Sequence, residues 1–203
     1  MSSMHIQPTT LLGKRAELVP LEESHIDALW EAGRFPEIWS WWPVRIRTHE
    51  EMKHLVQTFL HAQHEGQAFP FTIVDRTCGQ VIGSTRLHNI SHANRSLEIG
   101  KTWLTPAAWG THLNTECKYV LLRYCFETLE TLRVQLKTDV RNVRSQRAIE
   151  RLGAVKEGVL RHHWIMPDGH VRDSVLYSIL LEEWPACKVR LEQLLHASFG
   201  AQR

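Results

Sequence analysis

The chain has 203 residues, 43% of them hydrophobic and 23% charged, an ordinary globular composition long enough to bury a core without disulfides or metals. Its 24 Lys and Arg against 22 Asp and Glu leave a formal net charge of +2, which excludes the strongly basic surface of a broad nucleic-acid binder. No run approaches the ~18 consecutive apolar residues of a membrane span. Leu11 to Leu21 then alternates as a strand, with a turn at Gly13. Ser24-His25-Ile26-Asp27 reads as the capped start of a helix through Ile26, Leu29 and Trp30. Phe35-Pro36 ends it, and a short aromatic segment, Trp39-Ser40-Trp41-Trp42-Pro43, follows. Thr48 and Glu51 form a capping box ahead of the stripe Met52, Leu55, Val56, Phe59 and Leu60, which Gly66 closes.

A three-stranded antiparallel meander is expected next, from Ala68 to Asp75, Val81 to His88 and Ser96 to Leu104. The loop Thr105 to Gly110 feeds a long helix striped by Leu113, Cys117, Val120, Leu121, Tyr124, Cys125 and Leu129. Val134 to Val140 is a strand and Ser145 to Leu152 a short helix ended by Gly153. Ala154 to Leu160 and Val171 to Leu181 pair around the turn Pro167-Asp168-Gly169, and Glu182 to His196 is a closing helix. With no repeat, low-complexity tract or linker, residues 1–203 are expected to form one α/β domain, a mixed sheet with helices on both faces.

Cys78, Cys117, Cys125 and Cys187 lie far apart without a CxxC pair, so neither a zinc site nor a disulfide framework is expected. The 13 histidines are scattered, and His49, His54, His61 and His64 share a helix without an HExxH pattern, so no metal is expected. Met1 to Thr10 lacks the apolar core of a signal peptide, which predicts a cytoplasmic protein.

Chemistry concentrates in two places. Pro106 stops a strand and Gly110 lets the chain turn into the long helix, whose first N–H groups lack intrahelical partners. Such an end suits a phosphate or pyrophosphate, and equally serves as a plain strand–helix connection. The second place is Thr138 to Ala154, where Asn142 and Ser145 are capable helix caps and Arg141, Arg144, Arg147 and Arg151 crowd a short helix. Arginines beside a helix start favour an anionic ligand.

At these residues the chain resembles the GCN5-related N-acetyltransferases, and within them the RimJ/RimL-like group that acetylates ribosomal-protein N-termini. The carriers are Glu98-Ile99-Gly100 with Trp103-Leu104-Thr105-Pro106, and Trp109-Gly110 followed by Asn114, Glu116 and Lys118. The others are Arg141-Asn142 with Ser145, Ala148-Ile149 and Leu152-Gly153-Ala154, and the hairpin Asp168-Gly169, Arg172-Asp173, Tyr177-Ser178. The resemblance implies the acyl-CoA N-acyltransferase fold, its central strands Glu98–Leu104 and Val134–Val140 splayed around the pantetheine arm of acetyl-CoA. It implies cofactor contacts from Trp103, Leu104, Trp109, Gly110, Thr111, His112, Leu113, Asn114, Asn142, Ser145 and Arg147, with no metal. The family's pyrophosphate loop, (Gln or Arg)-x-x-Gly-x-(Gly or Ala), is only partly kept, since Ala107 and His112 stand at its first and last positions. Main-chain donors from Gly110 to Asn114 remain available whatever the side chains.

Acyl transfer needs a neutral amine, a polarised carbonyl and a stabilised leaving thiolate. By resemblance Ser145 is the general acid, with helix capping as its alternative role. Glu98 is read as an ion-pair partner, and His162 and His163 are further candidates for a base, which the sequence leaves unassigned. The acceptor is expected to be a peptide or protein α-amine, with a small amine (antibiotic, polyamine or amino-acid conjugate) as the alternative. Trp41 and Trp42 are read as acceptor-binding, with core packing as the competing role. A non-catalytic acyl-CoA sensor is the rival from another class. The expected partners are acetyl-CoA and the amine, with neither nucleic acid nor membrane, and a homodimer is compatible with the sequence.

Overall fold

A computed structural model describes the backbone of residues 4–200 and the side chains of residues 4–197. Eight strands form one mixed sheet, in the order β1 (Leu11–Leu12), β2 (Ala16–Pro20), β3 (Ala68–Asp75), β4 (Gln80–Ser91), β5 (Ser96–Leu104), β6 (Arg133–Asp139), β8 (Val171–Leu180) and β7 (Val155–Ile165). All neighbours are antiparallel except β5 and β6. Among the described residues five α-helices complete the fold: α1 (Ile26–Gly33), α2 (His49–His64), α3 (Leu113–Arg123), α4 (Val143–Arg151) and α5 (Trp184–Gly200).

The expected first strand breaks in two because Gly13, Lys14 and Arg15 turn the chain to meet α3. There the buried Glu116 carboxylate accepts the main-chain N–H groups of Lys14, Arg15 (3.2 Å) and Ala16 (3.0 Å). A Cβ on Gly13 would lie 2.6 Å from Glu116 Oε1, so only glycine allows this approach. Glu116→Ala leaves three donors without their acceptor and is expected to cost about 3 kcal/mol. A shift of the urea midpoint measures it, and a loss below about 1 kcal/mol would mean that water takes the carboxylate's place. The helix start expected at Ser24 is capped instead by its neighbours, since Glu22 N–H donates to His25 Nδ1 at 3.2 Å. The Thr48–Glu51 capping box forms as expected, with Thr48 Oγ1 accepting from Glu51 N–H at 3.2 Å.

The sheet has a core on each face. One packs β1–β6 and β8 against α3 and α5 through residues such as Leu18, Ile73, Leu97, Leu121, Val134, Tyr177 and Leu191. The other lies under α1, α2 and a 3-10 turn at Pro36–Trp41, and holds Leu29, Trp39, Trp42, Met52, Phe59 and Trp103. Trp39 and Trp42, three apart on that turn, meet edge to face at 5.2 Å, and Trp39 Nε1–H donates to Gly33 O. Trp41 points to the other side and is half-buried.

Candidate active site

Strands β5 and β6 stay paired only where Ser96, Leu97 and Glu98 lie opposite Arg133, Val134 and Gln135. Beyond Glu98 they part, and the β6-facing edge of Ile99–Leu104 has no strand beside it. A register shift in the β4–β5 ladder, opposite Ser84 to Arg86, sits beside Lys101, whose φ is +49°. Such a bulge bends a strand and re-aims side chains. The splay expected between the two central strands is therefore present.

Two helix starts converge on the gap. Trp109 Nε1–H donates to Leu104 O at 2.9 Å, which folds the loop back onto the end of β5. Gly110 then takes φ +73°, and a Cβ built there meets no heavy atom within 4 Å, so the turn stands open to its surroundings. Thr111 Oγ1–H donates to Ala108 O at 2.7 Å, and α3 begins at Leu113. From the neighbouring strand, buried Asp139 accepts Arg141 N–H and Nη2–H, both at 2.8 Å, and fixes the turn into α4. Asn142 Oδ1 caps that helix by accepting Ser145 N–H at 3.0 Å. The guanidinium of Arg144 lies 3.9 Å from the Trp109 ring centroid and clasps the two starts together.

Thr111, Asn114, Trp109, Asn142 and Ser145 are half-buried around this gap, while Gly110, His112 and Arg147 are exposed. His112 is therefore not packed into the turn, and it makes no side-chain cap of α3. The side chains of Trp103, Leu104 and Leu113 are buried in the cores, so what they can present to a ligand is main chain. Trp103 packs on Trp39 at 5.4 Å and against Gly33, on the helical side of the sheet. Trp42 is 9% exposed and belongs to the same core, whereas Trp41 lies beneath the Arg141 guanidinium at 5.3 Å. The two tryptophans thus part, one to packing and one to the rim.

The α1–α2 face of the sheet turns polar next to the splay. Buried Glu98 accepts from Asn89 Nδ2–H (2.9 Å), Gln135 Nε2–H (3.1 Å) and Lys137 Nζ–H (3.2 Å). His88 Nε2 lies 3.5 Å from its other oxygen, and burial pushes this imidazole down to about 4. Arg172, 11% exposed at its side chain, donates to Ser174 Oγ at 3.1 Å and to Trp41 O at 3.3 Å, and lies 3.8 Å from Asp139 Oδ2. His163 Nδ1 is 3.0 Å from Ser174 Oγ; burial, with the charges of Lys137 and Arg172, lowers its pKa. His162 is exposed, at φ +50°. Lys101, above the rings of Trp42 (5.5 Å) and Trp164 (5.1 Å), is pushed down to about 8 by burial and by Arg86 and Arg172.

A family model described as "Acetyltransferase (GNAT) domain" matches residues 15–155. The chain belongs to the GNAT acetyltransferase family. Among its relatives is the "Putative ribosomal N-acetyltransferase YdaF" of Bacillus subtilis (strain 168), 36% identical over 106 residues. That match covers 52% of this chain and 57% of the relative's own length, less than two thirds of it. The structure of a GCN5-related N-acetyltransferase from Brucella melitensis superimposes with a TM-score of 0.86 at 27% identity, over 93% of this chain and 86% of that one. RimJ of Mycobacterium smegmatis, solved with CoA-disulfide, shares the fold: TM-score 0.81, 22% identity, 92% and 95% of the two chains. Among the described residues no group of His, Cys, Asp or Glu could hold a metal, and no helix is long and apolar enough to cross a membrane.

The polar face is the part of this GNAT site that sequence reasoning missed. Its signal was nonetheless present as alternation, with Arg86 and His88, then Gln135, Lys137 and Asp139, then Arg172 and Ser174, each spaced by two. A strand whose alternate residues are polar and charged shows one uncovered face, and three strands of one sheet doing so, β4, β6 and β8, outline a cleft.

Proposed function

We propose that this GNAT protein transfers the acetyl group of acetyl-CoA to a primary amine, in the first place the α-amine of a peptide or protein N-terminus. The observation that carries the reading is the convergence of the two helix starts, α3 after Gly110 and α4 after Asn142, on the gap between β5 and β6. The residues fit acetyl-CoA. The open turn at Gly110 and the amide end of α3, where Leu113 N–H goes to Thr111 Oγ1 at 3.3 Å, suit a pyrophosphate, with exposed Arg147 adding charge. Asn142 uses its carbonyl in the cap and keeps its amide NH2 to donate to the pantetheine arm. The ribosomal N-acetyltransferase name of the Bacillus relative favours a protein acceptor.

In the reaction the amine nitrogen bonds to the thioester carbonyl carbon and the carbon–sulfur bond breaks. In this reading main-chain N–H groups on the free edge of β5 polarise the carbonyl oxygen. Ser145, in the first turn of α4, gives its proton to the departing thiolate. The proton shed by the amine leaves over the polar face, where His163, its pKa lowered, is neutral and able to accept it.

Release of free CoA thiol from acetyl-CoA, followed over a panel of peptides and small amines, tests this reading. Acceptor-dependent release supports it, and release with small amines only would move the acceptor class. Tight CoA binding without release under any acceptor would make the protein a sensor. Trp41, at the rim, is expected to pack the acceptor. Trp41→Ala should raise the acceptor KM by about 10-fold, a hydrophobic contact of roughly 1.4 kcal/mol, with acetyl-CoA binding kept. Trp42→Ala, by contrast, empties part of a core and should cost about 3–5 kcal/mol in chemical denaturation. An unchanged KM in Trp41→Ala would return that residue to packing.

A further inference from the structure

Among the described residues, three buried side-chain polar atoms have no hydrogen-bond partner: Arg86 Nε, His88 Nε2 and Trp103 Nε1. All three belong to β4 and β5. Arg86 and His88 are two apart on one strand, so they share a face, and His88 stands opposite Glu98 in the ladder. Buried polar atoms in folded proteins are nearly always satisfied, so three orphans on two paired strands mark a place where a polar partner belongs.

The charges there identify the kind of partner. Four cations meet on this face, Arg86, Lys101, Lys137 and Arg172, against two carboxylates, Glu98 and Asp139. Lys137 is answered by Glu98 at 3.2 Å, and Arg172 by Asp139, which Arg141 also holds. Arg86 and Lys101 hydrogen-bond to no carboxylate among the described residues. Each rests on aromatic rings instead, Arg86 over Phe59 at 4.5 Å and Lys101 over Trp42 and Trp164. Those rings hold the cations in place but carry no counter-charge, and a half-buried cation without an anion is costly. Lys101 also stands on the segment Ile99–Leu104, whose free edge faces the splay. A group bound at Lys101 therefore sits on the strand that borders the splay.

We propose that the acceptor carries a carboxylate close to its amine, and that Lys101, with Arg86 beside it, receives that carboxylate. The inference rests on the acetyltransferase reading above and narrows its acceptor. Two sources offer the same chemistry: the side chain of an acidic second residue in a peptide, and the α-carboxylate of a free amino acid.

The experiment compares kcat/KM by thiol release for the full chain with matched acceptors. One arm uses peptides beginning Ala-Glu, Ala-Gln and Ala-Lys, and the other uses alanine against alaninamide. The acidic member of one arm is expected to exceed its neutral partner by about 10- to 100-fold, the range of a hydrogen-bonded charge, and the arm that shows it names the source. Lys101→Gln should collapse that ratio towards one, Lys101→Arg should retain most of it, and Lys101→Glu should favour the Ala-Lys peptide. Equal turnover of acidic and neutral members in both arms overturns the inference while leaving the acetyltransferase standing, and so does a ratio that survives Lys101→Gln. Should the Lys101 variants not fold, the wild-type ratios decide alone. Thiol release from no member, nor from any amine of the wider panel, would sink the enzymatic reading and this inference with it.

Discussion

Ser145→Ala is expected to lower kcat by roughly 10- to 1000-fold while CoA binds as before, the range found when a general acid or a donor to developing charge is removed. The structure makes this substitution unusually clean. The bond that caps α4 runs from Ser145 main-chain N–H to Asn142 Oδ1, and alanine keeps that N–H. Helix propensity also improves slightly, so α4 should begin as it does now. What is lost is the hydroxyl, half-buried at the mouth of the splay. Steady-state kinetics with a saturating acceptor, set beside the thermal shift produced by CoA, separates chemistry from binding. A kcat equal to wild type would leave Ser145 as a helix-start residue and nothing more.

Gly110→Val is expected to abolish CoA binding at concentrations that saturate the wild type. The wild-type chain should bind CoA in the micromolar range, about −8 kcal/mol, and at 100 times Kd gain about 2.7 kcal/mol of stability. Gly110 has φ +73°, a conformation that a β-branched residue avoids at a cost of about 1–3 kcal/mol. Because an added Cβ would touch nothing within 4 Å, the damage comes from the backbone and not from a collision within the protein. The loop can escape the strain only by re-orienting the amides that lead into α3, and those amides are the proposed pyrophosphate site. Gly110→Ala, with less strain, should fall between the two. The comparison is made by thermal unfolding with and without CoA, and an undiminished shift in Gly110→Val would remove this loop from the binding site.

Local chemistry sufficed for much of the architecture. The β-branched and aromatic run Ala68–Asp75 and the alternation of Ser96–Leu104 became β3 and β5 with those boundaries. Thr48 and Glu51 capped α2, and Gly66, Gly110, Gly153 and Gly169 all took positive φ at the turns where glycine had been read as punctuation. These features depend on neighbours within about four residues, which a sequence states directly. The aromatic turn was legible for the same reason, since a spacing of three puts Trp39 and Trp42 on one side and Trp41 on the other.

Which side of the sheet each residue would face, and what would meet it there, was decided by the tertiary structure. Trp103 lies on the strand that borders the splay, yet its indole turns into the core between Trp39 and Gly33. Trp42 became packing while Trp41 stayed at the rim, because α1 and α2 cover one flank of the turn only. The bulge at Lys101 arises from register with β4, and no local motif announces it. The same holds for the cationic face, since Arg86, Lys101, Lys137 and Arg172 come from four different strands. They meet because β5 pairs with β6 over three residues and then leaves it, while β8 crosses to β6's other edge. Hydrophobic period and capping act through the chain, whereas charge and orphaned donors act through space, and only the assembled sheet brings the latter together.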